Sequence, residues 1–343
     1  MRANTVISLN IFKNKYNKTI YYSFKYQNFS QIKFILLLVI LIFAHQKIDV
    51  FVKNIKKIQM VDLASQYQHI KTEVDQAILD VVSSTQFING PEVKSFQNEL
   101  AAYLGVKHVI TCANGTDALQ ISMMALGLKP GDEIITPSYT YIATTEVIGL
   151  LGLKPVFVDC NPDTFNISPA AIEKAISSKT KAIVPVHLYG QACNMQEIMR
   201  IAKANNLFVI EDNAQAIGCD YNFNGQTMKT GTIGNVGCTS FFPSKNLGCF
   251  GDGGAMCTND DDLAIQLRMF ANHGQSKKYY HDRIGCNSRL DAIQATVLRI
   301  KLRELDNYID RRNKAAEYYD NAFKNLPELD LPKRTKMSNH VFH

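Results

Sequence analysis

Short apolar segments alternate with helical segments through the middle of this chain of 343 residues. Between Val106 and Glu211, five apolar runs of strand length are separated by stretches with the spacing of amphipathic helices. Such alternation is typical of an α/β domain, in which helices cover both faces of a mostly parallel sheet. Ligands of these sheets bind outside the carboxyl ends of the strands. The residues that follow each strand are therefore the candidates for a functional site.

The same pattern predicts the individual elements. The predicted strands are 106–112, 133–136, 155–158, 182–186, 207–211 and 236–242. The predicted helices are 66–83, 92–104, 116–126, 141–151, 169–177, 195–205, 261–271 and a long, charged, straight or bent helix over 288–325.

The first 59 residues differ in composition from the rest. They hold ten Lys and Arg against one acid, whereas the remainder holds 27 basic and 30 acidic residues, so the body does not resemble a nucleic-acid-binding protein. An apolar run at 34–44 is shorter than the roughly 20 residues of a spanning helix. It is open to three interpretations: a weak membrane anchor, an uncleaved targeting segment, or sequence outside the native protein. The third is preferred because the composition changes sharply at Met60.

We expect three regions: an extra segment over 1–59, a large domain over 60–300, and the start of a small C-terminal domain over 301–343. Too few residues follow the long helix to complete a small domain, so the chain is expected to stop early. All eight cysteines lie between Cys112 and Cys286 in apolar surroundings and form no CxxC pair. They indicate buried, reduced thiols of a cytoplasmic protein, with neither a disulfide frame nor a metal site.

One lysine stands out in the stretch TSFFPSKNLGCFGDGGA, which starts at Thr239. Lys245 follows an apolar run and precedes a glycine cluster, with Asp252 the one acid nearby. A lysine can form an imine with a carbonyl compound when burial lowers the pKa of its amine. The alternative is a lysine that caps a strand end beside an ordinary turn.

Other strand ends supply what a pyridoxal-phosphate site needs. Gly115 and Thr116, in the run ANGTDAL, offer backbone N–H groups at a helix start to a phosphate, although Thr is also a common helix cap. Ser240, five residues before Lys245, offers a hydroxyl from the other side. Tyr141 is able to stack on a flat ring or to pack in a core.

An acidic residue completes the set. Asp212 ends an apolar strand, where a carboxylate is costly unless it has a cationic partner, and a protonated pyridine nitrogen would be that partner. Gln215 lies three residues on and can reach the same ring. The order of phosphate loop, aromatic residue, strand-end acid, serine and lysine is harder to obtain by chance than any one of them.

From about Val61 onward the chain resembles the DegT/StrS family of pyridoxal-phosphate-dependent nucleotide-sugar aminotransferases. The motifs that carry the resemblance are ANGTDAL, GDEIITPSYTYIAT, VIEDNAQAIG, TSFFPSKNLGCFGDGG and HGQ…IGCNSRLDAIQA. The resemblance implies the fold type I of pyridoxal-phosphate-dependent transferases, with a large α/β domain and a small C-terminal domain that is truncated here. It also implies pyridoxal 5'-phosphate as cofactor.

The resemblance further implies roles for single residues. Lys245 would form the covalent imine and move a proton, and Asp212 would pair with the ring nitrogen. Gln215 would contact the ring hydroxyl side and Tyr141 the ring face. Gly115, Thr116 and Ser240 would hold the phosphate, with Asn287 reaching the phosphate of the neighbouring subunit of a homodimer.

Within the family the chain looks most like aminotransferases that act on UDP-2-acetamido-2-deoxy-3-oxo-glucuronate with glutamate as amino donor. Such enzymes make amino sugars for surface polysaccharide such as O-antigen. Arg289, in NSRLD, is the candidate partner of the substrate carboxylate across the dimer, and a helix-start ion pair is its alternative role. A departure from the pattern is a longer segment around 222–230, which we expect to be a surface loop.

Two other functions stay open at this point. A sister branch of the family carries out dehydration with histidine at the lysine position, and Lys245 argues against it. The shortened chain is alternatively a non-catalytic product that only binds cofactor or dimerises. Contact with a membrane is expected only if residues 34–44 are an anchor.

Overall fold

The computed structural model describes residues 59–343, of which Asp62–His343 form one compact unit. The predictions for the apolar run 34–44 and for the N-terminal segment fall on residues before 59, outside the described part. Within that part, no helix is both long and apolar enough to cross a membrane. The division into domains at residue 300 stays a prediction.

The described chain has eleven strands, and seven of them form a mixed sheet at its centre. The strands are β1 His108–Cys112, β2 Glu133–Pro137, β3 Lys154–Val158, β4 Thr180–Ile183, β5 Phe208–Asp212, β6 Asp220–Phe223, β7 Gln226–Lys229, β8 Val236–Ser240, β9 Gly254–Thr258, β10 Gln275–Lys277 and β11 Tyr280–His281. The large sheet has the order β1-β9-β8-β5-β4-β2-β3, and only β9 runs against its neighbours. The pairs β6–β7 and β10–β11 form separate hairpins.

Helices flank this sheet. They are α1 Leu63–Ser84, α2 Pro91–Leu104, α3 Gly115–Ala125, α4 Ala143–Leu150, α5 Pro169–Ala175, α6 Met195–Ala204, α7 Asp261–Ala271, α8 Ala292–Arg303 and α9 Leu305–Phe323. Several begin at the side-chain caps that their sequences provide. Asn114 Oδ1 accepts from the N–H of Asp117 at 2.8 Å, and Asp260 Oδ1 accepts from the N–H of Leu263 at 2.9 Å, which satisfies otherwise unpaired donors of α3 and α7.

Both faces of the sheet are buried, because alternate residues of the strands enter two different apolar clusters. Ile135 and Val209 lie in one cluster, with Phe96 of α2. Ile134 and Ile210 lie in the other, which α3 and α7 complete. This burial on two sides explains why the strands read as continuous apolar runs rather than alternating ones. The predicted α/β fold with a mostly parallel sheet is confirmed.

Three features differ from the sequence prediction. The long C-terminal helix is two helices that meet at Glu304. The segment around 222–230 is the hairpin β6–β7, whose Tyr221 is only 1% exposed and packs in the core. Strands β9, β10 and β11 lie outside the predicted elements. All eight cysteines are free in the described part of the chain, and six of them are buried.

Candidate active site

A cavity of ≈ 710 Å³ opens at the carboxyl ends of β1, β5 and β8. Seven of the nine predicted site residues line it: Gly115, Thr116, Tyr141, Asp212, Gln215, Ser240 and Lys245. This location follows from the topology, since the carboxyl ends of parallel strands meet at one edge of a sheet.

Lys245 lies on the loop that joins β8 to β9. Two backbone bonds close the base of this loop: the N–H of Phe241 donates to the carbonyl of Gly253 at 2.7 Å, and the N–H of Cys249 donates to the carbonyl of Phe241 at 2.8 Å. Burial lowers the pKa of the Lys245 amine, and the charge of Asp212 opposes this effect. Lys245 is half-buried on a loop whose main chain is held by hydrogen bonds. Because burial lowers its pKa, its amine is neutral more often than that of a surface lysine.

Asp212, at the end of β5, is buried on the same cavity. Thr144 Oγ1 donates to its Oδ2 at 2.7 Å, and the N–H of Ala214 donates to its Oδ1 at 3.2 Å. Burial raises the pKa of Asp212, while these two donors and Lys245 lower it. No ion pair among the described residues includes Asp212. Its carboxylate thus suits a cationic group that enters the cavity.

The neighbouring carboxylate, Glu211, differs from Asp212 because all its partners are groups of the protein. It points to the opposite side of β5 and lies 2.9 Å from His187 Nε2. The N–H groups of Gly231 and Gly234 donate to it at 2.8 and 2.6 Å, and that of Ile233 at 2.7 Å. Although burial opposes its ionisation, these partners hold the pKa of Glu211 below its usual value. Glu211 is therefore a structural residue, and Asp212 is the one that faces the site.

The start of α3 forms a close-fitting cradle with β8 and β9. A Cβ added to Gly115 would lie 2.7 Å from Ser240 Cβ, and a Cβ added to Gly254 would lie 2.4 Å from the carbonyl carbon of Asn114. Glycine is therefore required at both positions by close approach. The unpaired N–H groups at the first turn of α3, beside the hydroxyls of Thr116 and Ser240, suit an anion such as a phosphate.

Tyr141 and Gln215 complete the lining. Tyr141 is 70% exposed, so its ring is available to a ligand rather than packed in the core. Gln215 Oε1 accepts from the N–H of Tyr189 at 2.6 Å, which fixes the orientation of its amide.

The structure of the single chain does not bring Asn287 and Arg289 into the cavity lining. Asn287 is exposed and bridges to Asn272, and Arg289 is half-buried. Their predicted action across a dimer stays a prediction. Between them, Ser288 ties this segment to the cradle: its Oγ donates to Asp117 Oδ2 at 2.6 Å and accepts from the N–H of Ala113 at 2.9 Å.

Sequence reasoning missed Thr144 and Ser288. Neither leaves a local pattern in the sequence, because each acts through a partner that is distant along the chain: Asp212 for Thr144 and Asp117 for Ser288.

The residues present fit pyridoxal phosphate on three independent observations. A buried carboxylate lacks a cation, a glycine-lined helix start forms an anion cradle, and a lysine of lowered pKa shares their cavity. These are the groups that would hold the ring nitrogen, the phosphate and the aldehyde carbon of this cofactor.

Comparison with known proteins agrees with this geometry. The model of the DegT/DnrJ/EryC1/StrS aminotransferase family matches residues 68–343. The chain is 49% identical over 269 residues to the UDP-2-acetamido-2-deoxy-3-oxo-D-glucuronate aminotransferase of Pseudomonas aeruginosa. The aligned region covers 78% of this chain and 74% of that protein.

Solved structures show the same fold. The crystal structure of DesV from S. venezuelae has a TM-score of 0.81 at 41% identity and covers 84% of this chain and 76% of that one. The crystal structure of NtdA from Bacillus subtilis with bound cofactor PMP has a TM-score of 0.78 at 33% identity and covers 84% of this chain and 66% of that one.

These findings confirm the predicted reaction class and cofactor, and they support an enzyme rather than a non-catalytic product. The chain belongs to the DegT/DnrJ/EryC1/StrS aminotransferase family and is a pyridoxal-phosphate-dependent aminotransferase.

Proposed function

We propose that the protein transfers an amino group to the keto carbon of a UDP-linked 3-keto sugar, specifically a 2-acetamido-3-oxo-glucuronate, with glutamate as donor. The observation that carries the proposal is the shared cavity of Lys245 and Asp212, which has a cradle for a phosphate at one end. The substrate class rests on the kinship to the P. aeruginosa enzyme.

In this proposal each residue has a defined task. Lys245 would hold the cofactor through its amine and, when that amine is free, would move a proton at the reacting carbon, because burial lowers its pKa. Asp212 would pair with the ring nitrogen, and Thr144 keeps the carboxylate oriented. When bound, the cofactor would supply an electron sink for the reacting carbon.

The remaining site residues bind and position. Gly115, Thr116 and Ser240 hold the phosphate, Tyr141 stacks on the ring, and Gln215 contacts the ring hydroxyl side. These tasks are supported by the location of all five residues on one cavity.

We also propose that the active unit is a homodimer in which Asn287 and Arg289 serve the partner's cavity. The support is their position: both follow the exposed hairpin β10–β11 and are linked by Ser288 to the cradle, yet they do not line the cavity of their own chain. An arginine suits a uronate carboxylate because its guanidinium group binds carboxylates with two parallel hydrogen bonds.

The wider setting is proposed as cytoplasmic synthesis of a surface polysaccharide such as O-antigen. The boundary between a large domain over 60–300 and the start of a small domain over 301–343 belongs to the same proposal.

The first experiment tests covalent cofactor attachment. The purified protein, loaded with pyridoxal phosphate and reduced with borohydride, should carry the cofactor on the peptide that contains Lys245. Lys245→Ala should lose both the label and the visible absorption band. Lys229→Ala, which removes a half-buried lysine that pairs with Asp220 outside the cavity, should keep the label on Lys245. A wild-type protein that never takes up the cofactor would disprove the proposed function.

The second experiment tests the substrate and the dimer. UDP-3-keto sugars with and without the carboxylate, and a dTDP-4-keto sugar, are assayed side by side. Arg289→Met should raise KM for the uronate and leave KM for the uncharged UDP-3-keto sugar unchanged. Lys245→Ala and Arg289→Met chains, each impaired as homodimers, should regain uronate turnover when mixed, because one of the two sites is then intact. No recovery in proven mixed dimers would contradict shared sites.

A further inference from the structure

Lys301 of α8 is a buried lysine with no acidic partner. Its side chain is 2% exposed, and none of the ion pairs of the described residues includes it. Nζ donates to the carbonyl of Gly248 at 2.5 Å and lies 5.2 Å from the centroid of the Phe250 ring. Burying an ammonium group on a backbone carbonyl and a ring is costly, so the position calls for an explanation.

The acceptor of this bond lies on the loop that carries Lys245, three residues further along the chain. Gly248 packs closely against the start of the loop: a Cβ built there would lie 2.3 Å from the carbonyl oxygen of Pro243 and 2.8 Å from that of Phe242. The bond from Lys301 therefore holds a residue that packs against the backbone just before Lys245 in the chain. A shift of the Gly248 carbonyl would displace the backbone of Lys245.

A second side chain of α8 holds the same loop. Gln294 Oε1 accepts from the N–H of Phe250 at 2.8 Å. Gln294 and Lys301 are seven residues apart, which is two helical turns, so both lie on one face of α8. That face thus holds the main chain of the loop at Gly248 and at Phe250.

Asn246, the residue directly after Lys245, is bonded to the last residues of the chain. Asn246 Nδ2 donates to the carbonyl of Val341 at 2.8 Å, and Arg312 Nη1 donates to the carbonyl of Phe342 at 2.6 Å. Asn246 and Gly248, the first and third residues after Lys245, are therefore each bonded to an element outside the loop.

We infer that Lys301 is a positioning residue of the aminotransferase site, which fixes the loop of Lys245 through the Gly248 carbonyl, with Gln294 as its second anchor. Lys301 itself does not touch substrate or cofactor and lies outside the cavity lining. The inference rests on the proposed attachment of the cofactor to Lys245. Burial lowers the pKa of Lys301 to about 8, so its amine is ready to act as a hydrogen-bond donor in either protonation state.

The test compares Lys301→Met, which keeps length and removes the donor, with Lys301→Arg, which keeps charge and donors. Arg303→Met is the control, because Arg303 is exposed on the same helix and pairs with Glu73 away from the loop. Each loaded protein is measured well below its unfolding midpoint for cofactor affinity, for the rate of borohydride labelling of Lys245, and for kcat at saturating substrate.

We expect Lys301→Met to lower kcat and the labelling rate by about tenfold, because misplacing a reacting group by about 1 Å can cost about 100-fold in rate. Lys301→Arg should recover most of this loss, and Arg303→Met should match the wild type. Gln294→Met, at a half-buried position, should also lower kcat and the labelling rate, but by a smaller factor. It also keeps the inference testable if Lys301→Met fails to fold.

Two outcomes would overturn the inference. One is a Lys301→Met protein with a lower unfolding midpoint but wild-type kcat and labelling rate, which would make Lys301 a packing residue only. The other is wild-type behaviour of Gln294→Met in both assays. Absence of labelling in the wild type would instead refute the proposed function, so the two failures are distinguishable.

Discussion

The hydroxyl of Thr144 should decide how tightly the site holds its cofactor. Thr144 is fully buried and donates to Asp212 Oδ2 at 2.7 Å. Thr144→Val keeps the β-branched shape and removes the donor. The pKa of Asp212, which burial already raises, then rises further, and the carboxylate becomes a poorer partner for a protonated ring nitrogen.

The bond exists without cofactor, so binding loses only the part that depends on the charge of the carboxylate. A hydrogen bond contributes about 1.5–3 kcal/mol to a charged group and about 0.5–1.5 kcal/mol to a neutral one, a difference of about 1–1.5 kcal/mol. Because 1.4 kcal/mol corresponds to a factor of ten, the Kd of the cofactor should rise by about 5- to 12-fold at neutral pH. Titration of the cofactor-free protein with pyridoxal phosphate, followed by the visible absorption band, measures this directly.

The matched control is Thr136→Val. Thr136 is equally buried and donates to the carbonyl of Val184 at 3.3 Å, but it does not line the cavity. The reasoning is refuted if Thr144→Val binds the cofactor within about twofold of the wild type. It is also refuted if Thr136→Val loses as much affinity, since the loss would then reflect a general cost of removing a buried hydroxyl.

Further predictions concern charge and close packing in the same site. Asp212→Asn should unfold at a higher temperature than the wild type when both lack cofactor at neutral pH. Because burial raises the pKa of Asp212, the protonated carboxyl stabilises the folded state, and this contribution is lost as the pH rises through the folded pKa. The unfolding temperatures of the two proteins should therefore converge in acid. Gly115→Ala should lower the free energy of unfolding by about 1–3 kcal/mol and weaken cofactor binding, because the new Cβ would lie 2.7 Å from Ser240 Cβ. By contrast, Gly149→Ala, in α4 with no atom within 4 Å, should stabilise the protein by roughly 0.5–1 kcal/mol and leave cofactor titration unchanged.

The sequence predicted the parts of the fold that rest on periodicity. Helix α7 was predicted at its observed bounds, and most other elements within a few residues. Strand β9 was missed because Gly254 and the preceding glycines read as a loop, whereas close packing against Asn114 requires glycine inside the strand. The break between α8 and α9 at Glu304 could not be predicted, because no proline or glycine lies near it in the sequence.

The site shows a similar division. Lys245 and Asp212 could be found because each breaks an apolar segment with a charge. Thr144 and Ser288 could not, since a buried hydroxyl matters only through a partner that is distant in sequence: Thr144 bonds a residue 68 positions away, and Ser288 one 171 positions away. Pair contacts of this range arise from tertiary packing and leave no local pattern.

The reversed direction of β9 has a consequence for how this enzyme tolerates change. Two adjacent antiparallel strands need only a tight connection, whereas a parallel β9 would need a crossover over one face of the sheet. The loop 241–253 that carries the reactive amine therefore leaves and re-enters the sheet at the same edge, where the cavity lies. Insertions in this loop would displace the amine directly, whereas the exposed tip of the β6–β7 hairpin offers room for insertions that leave the site unchanged.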